Sequence, residues 1–354
     1  MERELLLTTK LHVPRPRAAY VPRPRLAAHL DEGAAHELLV VSAPPGFGKT
    51  TVLADWARHR GHSVAWVSLD DGDNDPIRFW RHVTAAVNAA SSGTVGSVAA
   101  LLGPPPPTTL HVVLAGRADP PLPLAGLRGR GQLSELRAAD LRFTLAEAAE
   151  LIPAVSGIDV PDATVAMLED RTEGWVTGLL LAALSLRGRT DAAGALAEFS
   201  GSHRFVLDYF VEEVLDRQDD DLRAFLIETS VLDRLSGPLC DAVTGRCDGQ
   251  TLLEAAERAG LFLVPLDEDR RWWRYHHLFA DLLRARMAQE RPGRAAELHR
   301  AAATWWERHG MVDDAVRHGL ATGDVARVAR LVEQHFEAKL SRNQERAQIV
   351  VLAV

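Results

Sequence analysis

Apolar runs of strand length and apolar residues at helical spacing alternate along the first part of the chain. "ELLVVSA", ending at Ala43, is a β-branched and Leu-rich run that predicts a buried strand, and "KTTVLADWARHR" sets Val52, Leu53 and Trp56 at helical spacing. Between them lies a glycine loop, so the local order is strand, loop, helix. "SVAWVSLD" and "LHVVLAGRAD" predict two further buried strands, each ending in polar residues, which makes this part α/β with a parallel sheet. After Asp140 the period is helical, from "FTLAEAAELI" through "WVTGLLLAALSLRG". A second helical block runs from Arg204 to Met287 and contains "LFLVPLDEDRRWWRYHH". This stretch predicts a hairpin with Val264 and Leu266 on one side of a charged turn and Trp273 and Tyr275 on the other. Helices followed by a small hairpin suggest a winged helix. From Ala295 the pattern is that of helix pairs, with Gly310 and Gly323 at the turns. Ahead of everything, "VPRPR" occurs at Val13 and again at Val21, and its prolines favour an extended strap.

Composition changes this picture little. At 354 residues the chain is long enough for two to four cores, and 47% hydrophobic with 25% charged residues is ordinary for globular domains. The net charge of -8 argues against a standing attraction to nucleic acid or anionic membrane. The longest apolar run, "WVTGLLLAAL", is too short to cross a bilayer, and Glu2 and Glu4 spoil the start as a signal peptide, so a cytoplasmic protein with no membrane partner is expected. Cys240 and Cys247 match no zinc spacing and read as reduced thiols.

The glycine loop "SAPPGFGKTT" carries the chemistry. In a P-loop, Lys49 reaches the β- and γ-phosphates and the Thr50 hydroxyl serves a magnesium ion. The backbone N–H groups from Gly46 to Thr51 surround phosphate oxygens at a helix N-terminus. Glycine is needed where a Cβ would block that approach. The usual first glycine is replaced by Ala43, whereas Gly46, Gly48, Lys49 and Thr50 stand in place.

Six segments together resemble a known family: "TTKLHVPRPRAAYVPRPRLAAHL", "SAPPGFGKTT", "AWVSLDDGDNDPIRFWRHVTAAV", "LAGRADPPLPLAGLRGRGQLSELRAADLRFTLAEA", "TEGWVTGLLLAALSL" and "WWRYHHLFADLLRARM". They are similar to the large ATP-binding LuxR-type, MalT-like regulators, which are signal-transduction ATPases of the STAND class. The similarity runs from about Leu6 to about His335. It implies a multidomain α/β plus α protein: a P-loop nucleotide domain at 1–141, a helical domain at 142–200, a winged-helix domain at 201–290 and a truncated helical arm at 291–354. It also implies ATP/ADP with Mg2+ as cofactors. An inducer and self-association would act through regions largely absent here, and DNA would be bound only through a C-terminal helix-turn-helix that this chain lacks.

By the same resemblance Val21 and Arg23 in the strap wrap the nucleotide, together with the loop residues Pro45, Gly46, Phe47, Gly48, Lys49, Thr50 and Thr51. Arg117 at a strand end senses the γ-phosphate. Gly174 and Trp175 form the nucleotide-facing turn of the helical domain, and His276, ahead of His277, contacts the β-phosphate. One part of the family pattern is missing. The interval Asn88–Thr109 should hold a strand ending in paired aspartates, yet it contains no acidic residue. Asp70 and Asp71 are the only substitutes, although "SLDDGDNDP" matches the family's preceding strand. Loss of the acidic strand predicts either that the "LHVVLAGR" and "SVAWVSLD" strands close up directly or that ladder groups are left unpaired, each costing about 1–3 kcal/mol. Binding should then outlast hydrolysis. Two other readings stand beside this one: a winged-helix DNA-binding protein with an ancillary P-loop, and a P-loop phosphotransferase. The acids Asp241, Asp248, Glu254 and Glu257 against Arg246 and Arg258 weaken the first, because phosphate-backbone binding needs net positive charge.

Overall fold

The computed structural model describes residues 8–15, 19–59, 64–90, 111–187 and 204–341, and the chain divides into two compact units, 1–197 and 198–354. In the first unit, α1 (Pro24–Gly33) leads into strand β1 (Leu38–Ser42), followed by α2 (Lys49–His59) and α3 (Pro76–Ala90). Next come β2 (Val112–Gly116), α4 (Leu124–Gly129), β3 (Leu133–Arg137) and α5 (Ala138–Leu141). The strands form a parallel sheet in the order β2-β1-β3, so the apolar run Leu38–Ser42 is central and buried along its whole length. Leu38 and Val40 pack on Leu124 and Leu133 on one face of the sheet. On the other face α1 comes so near that a Cβ on Gly33 would stand 2.9 Å from the Leu39 side chain. Ser42 is level with Gly116 and Arg137, which brings the carboxyl ends of all three strands to one edge. Such an edge is where open α/β sheets place ligands.

Two expectations for this sheet are corrected. Residues 64–70 of "SVAWVSLD" form no strand, and Leu69 is 58% exposed. Strand β2 forms as expected, yet it is half-exposed rather than buried, with Val112 at 40%. Among the described residues β2 pairs only with β1, so the two segments do not close up on each other. A strand pairs where a partner's backbone groups are in register. The 64–70 segment instead gives the Ser68 N–H to the Lys10 carbonyl at 2.9 Å.

The rest of the first unit is helical. Thr144 and Glu147 cap α6 (Leu145–Ser156) reciprocally, and Gly157 ends it at φ 77°. It packs with α7 (Asp162–Thr172) and α8 (Val176–Ser185) through Leu151, Ile152, Leu168, Leu179 and Ala183, all nearly inaccessible to solvent.

The second unit contains α9 (Arg204–Glu213), α10 (Asp220–Thr229), α11 (Gly237–Thr244) and α12 (Gly249–Arg258), then the hairpin strands β4 (Leu263–Pro265) and β5 (Trp273–Tyr275). The antiparallel register sets Val264 opposite Arg274, and Leu235 adds a bridge to Trp273, in agreement with the hairpin expected from sequence. Helix α13 (His277–Glu290) follows, and the Phe210, Phe262 and Phe279 rings pack at 5.0–5.8 Å between centroids beneath the hairpin. The last three helices are α14 (Arg294–Arg308), α15 (Val312–Ala321) and α16 (Val325–Ser341), with Gly310 and Gly323 at positive φ in the turns. Arg234 ties this arm to the hairpin: its guanidinium lies 4.6 Å over the Trp306 ring and 5.1 Å from the Trp272 ring, and it pairs with Asp314 at 2.5 Å. Among the described residues no helix is long and apolar enough to cross a membrane.

Candidate functional site

The P-loop joins the buried end of β1 to the N-terminus of α2, which is the arrangement the sequence predicts. Gly46 and Gly48 sit at φ 76° and 77°, where a side chain would be strained. Lys49 donates through Nζ to the carbonyls of Ala43 at 2.5 Å and Pro44 at 2.9 Å, so its charge is folded over the mouth of its own loop. Burial, and then the nearby positive charge of Arg117, push the Lys49 ammonium down to about 8. A lysine whose charge is disfavoured by burial and by a neighbouring arginine defines a place where an anion would be stabilised. Pro45 and Phe47 are buried parts of the loop, whereas Thr50 is exposed at the first turn of α2 and Thr51 is half-buried.

The helical part of the unit closes on the loop from behind. Trp175 is fully buried and its indole Nε1–H donates to the Pro45 carbonyl at 3.0 Å. The Gly46 carbonyl accepts from the Thr177 N–H at 3.2 Å and from the Thr177 hydroxyl at 3.0 Å. Gly174, at φ 68°, is where two backbones meet: a Cβ there would lie 2.6 Å from the Phe143 carbonyl oxygen, and the Phe143 N–H donates to the Gly174 carbonyl at 2.8 Å. Sequence reasoning selected Gly174 and Trp175 but missed Thr177. Nothing marks a threonine two residues after a tryptophan until the fold sets it against the loop.

The strap residues Val21 and Arg23 are buried, and Arg23 is committed to the turn after α5. Its guanidinium donates to the carbonyls of Leu141 at 2.7 Å and Arg142 at 2.8 Å, faces Glu147 at 3.3 Å and covers the Phe143 ring at 4.4 Å. Burial lowers it to about 10, against the opposing pull of Glu147. Arg25 adds a bond to Glu147 at 2.9 Å. The second "VPRPR" is therefore a clamp between α1 and the start of the helical segment.

Asp70 caps a short 3-10 helix, Asp71–Asn74, and pairs with Lys10 at 2.7 Å. Its neighbour Asp73 is almost wholly enclosed. Burial by itself would raise that carboxyl, but Lys10 at 2.5 Å, the Asp70 N–H at 2.9 Å and His82 outweigh it and hold it at about 2. Asp70 thus serves this ionic knot. In the interval from Asn88 to Thr109, expected to lack the acidic strand, residues 91–109 lie outside the described residues. Among the described residues no group of three or more His, Cys, Asp or Glu could hold a metal ion.

His276 lies in the second unit at the N-cap of α13, buried, with its ring edge-on to Phe262 at 5.7 Å and its backbone N–H donating to the Phe262 carbonyl at 2.9 Å. His277 is exposed beside it. In the same unit Arg246 spends its charge on Asp221 and Asp248, both at 2.7 Å.

Residues 211–295 match the family model of the MalT winged helix domain. The chain is 33% identical over 377 residues to the serine/threonine-protein kinase PknK of Mycobacterium tuberculosis, with 92% of this chain and 34% of that protein covered. It is 33% identical over 383 residues to the HTH-type transcriptional regulator MalT of Yersinia enterocolitica and 34% identical over 389 residues to that of Serratia proteamaculans. Each of these two matches covers 94% of this chain and 42% of the relative. The chain thus spans 34–42% of the length of these relatives. The matched stretches are longer than the 354-residue chain itself, so within them the relatives carry residues that this chain lacks. Across 94% of its length the chain is MalT-like, and residues 211–295 form its MalT-type winged helix domain.

Proposed function

We propose that this chain is the adenine-nucleotide-binding switch portion of a MalT-like transcriptional regulator, and that it holds ATP or ADP far better than it hydrolyses ATP. The observation that carries the reading is the convergence of Lys49 and Arg117 on a loop whose Gly46 and Gly48 adopt positive φ, at the carboxyl edge of a parallel sheet. Lys49 would exchange the Ala43 and Pro44 carbonyls for phosphate oxygens, and the N–H groups of Gly46 to Thr51 would supply the surrounding donors. Thr50 would offer its hydroxyl to Mg2+, whose part would be to neutralise phosphate charge. Weak hydrolysis is supported by the engagement of Asp70 with Lys10 and by the shortness of this chain relative to the stretches it matches. A DNA-binding reading gains nothing from Arg246, whose charge Asp221 and Asp248 already neutralise.

Mass analysis of small molecules released from the purified, denatured protein tests binding. ADP or ATP is expected from the parent and none from Lys49→Ala; equal nucleotide content in the two would refute the reading. Phosphate release should be near background. Strong magnesium-dependent release that disappears in Asp71→Ala would overturn the hydrolysis half of the proposal.

A further inference from the structure

We infer that Trp175 and Thr177 are positioning residues for the anion site: from outside the loop they aim the N–H groups of Gly46 and Phe47 at the bound phosphate. The inference rests on the nucleotide-binding reading for its ligand and on peptide geometry for its mechanism. A trans peptide is planar, with its C=O and N–H pointing in opposite directions. The Pro45 carbonyl and the Gly46 N–H belong to one such plane. Fixing that carbonyl on the Trp175 indole at 3.0 Å turns the Gly46 N–H the other way. The next plane contains the Gly46 carbonyl and the Phe47 N–H. It is fixed by two donors of Thr177, the backbone N–H at 3.2 Å and the hydroxyl at 3.0 Å. Three hydrogen bonds from the first residues of α8 therefore set two consecutive donors of the loop before any ligand arrives. Preorganised donors of this kind do not have to reorient when charge appears.

The surrounding residues hold the brace itself in place. Gly178 has no Cβ, and one added there would stand 2.7 Å from the Trp175 ring, so the glycine leaves room for the indole at the start of α8. Gly174 locks the same turn to Phe143, and Phe143 sits under the Arg23 guanidinium. A continuous path thus runs from the strap through Phe143 and Gly174 to the loop carbonyls. A ligand that pulls on the Gly46 and Phe47 N–H groups pulls on α8 through the same two peptide planes. The brace would by this route report phosphate occupancy to the helical segment.

The test compares Thr177→Val, Thr177→Ser and Trp175→Phe with the parent and with Lys49→Ala, using ADP as the probe in titration calorimetry. Removing one of these bonds is expected to weaken ADP about fivefold in Thr177→Val and in Trp175→Phe, with Thr177→Ser restoring parental affinity. The melting temperature of the ligand-free proteins should stay near that of the parent in Thr177→Val, which separates orientation from folding. A second readout needs no nucleotide: NMR of isotope-labelled glycine in the free protein should give one sharp Gly46 amide signal in the parent and a shifted or broadened one in Thr177→Val. Unchanged ADP affinity in both Thr177→Val and Trp175→Phe overturns the inference, as does a Gly46 signal indifferent to them. If the parent and Lys49→Ala fail alike to bind ADP, the functional reading has failed, and the Gly46 signal still decides the brace.

Discussion

Raising the pH should weaken nucleotide binding through Lys49 alone, and the size of the effect follows from the site. In the free protein, burial and then Arg117 bring this ammonium down to about 8 from its ordinary 10.5. A phosphate group would reverse that cause by offering opposite charge, so the bound state should keep the proton well above that point. Binding must then take up a proton wherever free Lys49 is neutral. At about pH 9 roughly nine in ten free Lys49 side chains are neutral, so affinity should fall about tenfold between about pH 7 and pH 9, close to 1.4 kcal/mol. Titration calorimetry in buffers of different ionisation enthalpy measures the uptake directly. Expected values are near zero at about pH 7, half a proton at about pH 8 and close to one at about pH 9. Lys49→Arg, which stays charged, should abolish the uptake, and Arg117→Ala should move it to higher pH. The linkage has the opposite sense for the free fold. Its lowered Lys49 makes the unfolded chain the better proton binder, so stability of the ligand-free protein rises as pH climbs from about 8 toward 10.5. Affinity that is flat from about pH 7 to pH 9, with no proton uptake, would refute the placement of Lys49 against the ligand.

Three further outcomes test the fold around the sites. Acid should destabilise the second unit through His299 and His318, whose Nδ1 atoms share a hydrogen bond of 2.7 Å that needs one of them unprotonated. Burial, then His299, lowers His318 to about 4, among flanking charges on Asp233, Asp314, Arg284 and Arg317. The unfolded chain therefore binds the proton better. Stability present above about 6.5 should be lost toward pH 4, by up to about 3 kcal/mol, and His318→Leu should flatten that dependence in urea titrations at several pH values. Gly174→Ala combines a left-handed φ with a Cβ pressed on the Phe143 backbone, and should destabilise the first unit by about 2–4 kcal/mol; an unfolding midpoint equal to the parent's would sink that account. Arg234→Ala removes the guanidinium from the Trp272 and Trp306 rings and leaves Asp314 with Arg317 alone, at 3.3 Å, so the second unit should lose about 1–2 kcal/mol, seen as earlier tryptophan fluorescence change on denaturation.

The sequence by itself determined whatever depends on neighbours along the chain. "ELLVVSA" followed by "PPGFGKTT" specifies strand, loop and helix, because a buried run, two glycines free to take positive φ and a following helical period are local properties. The hairpin from Leu263 to Tyr275 was legible for the same reason: its two apolar stretches flank one charged turn. Pairing between distant segments was not legible. "SVAWVSLD" has the composition of a buried strand, but a strand needs a partner in register, and whether 64–70 finds one depends on segments far away along the chain. The tertiary structure alone decided that those residues stay outside the sheet and that β2 is half-exposed. It alone turned the second "VPRPR" into a clamp, because only in the fold do the Leu141 and Arg142 carbonyls stand before Arg23. Thr177 is the sharpest case. Its hydroxyl has no meaning along the chain, and acquires one only when α8 brings it 131 positions away from Gly46 in sequence to 3.0 Å in space.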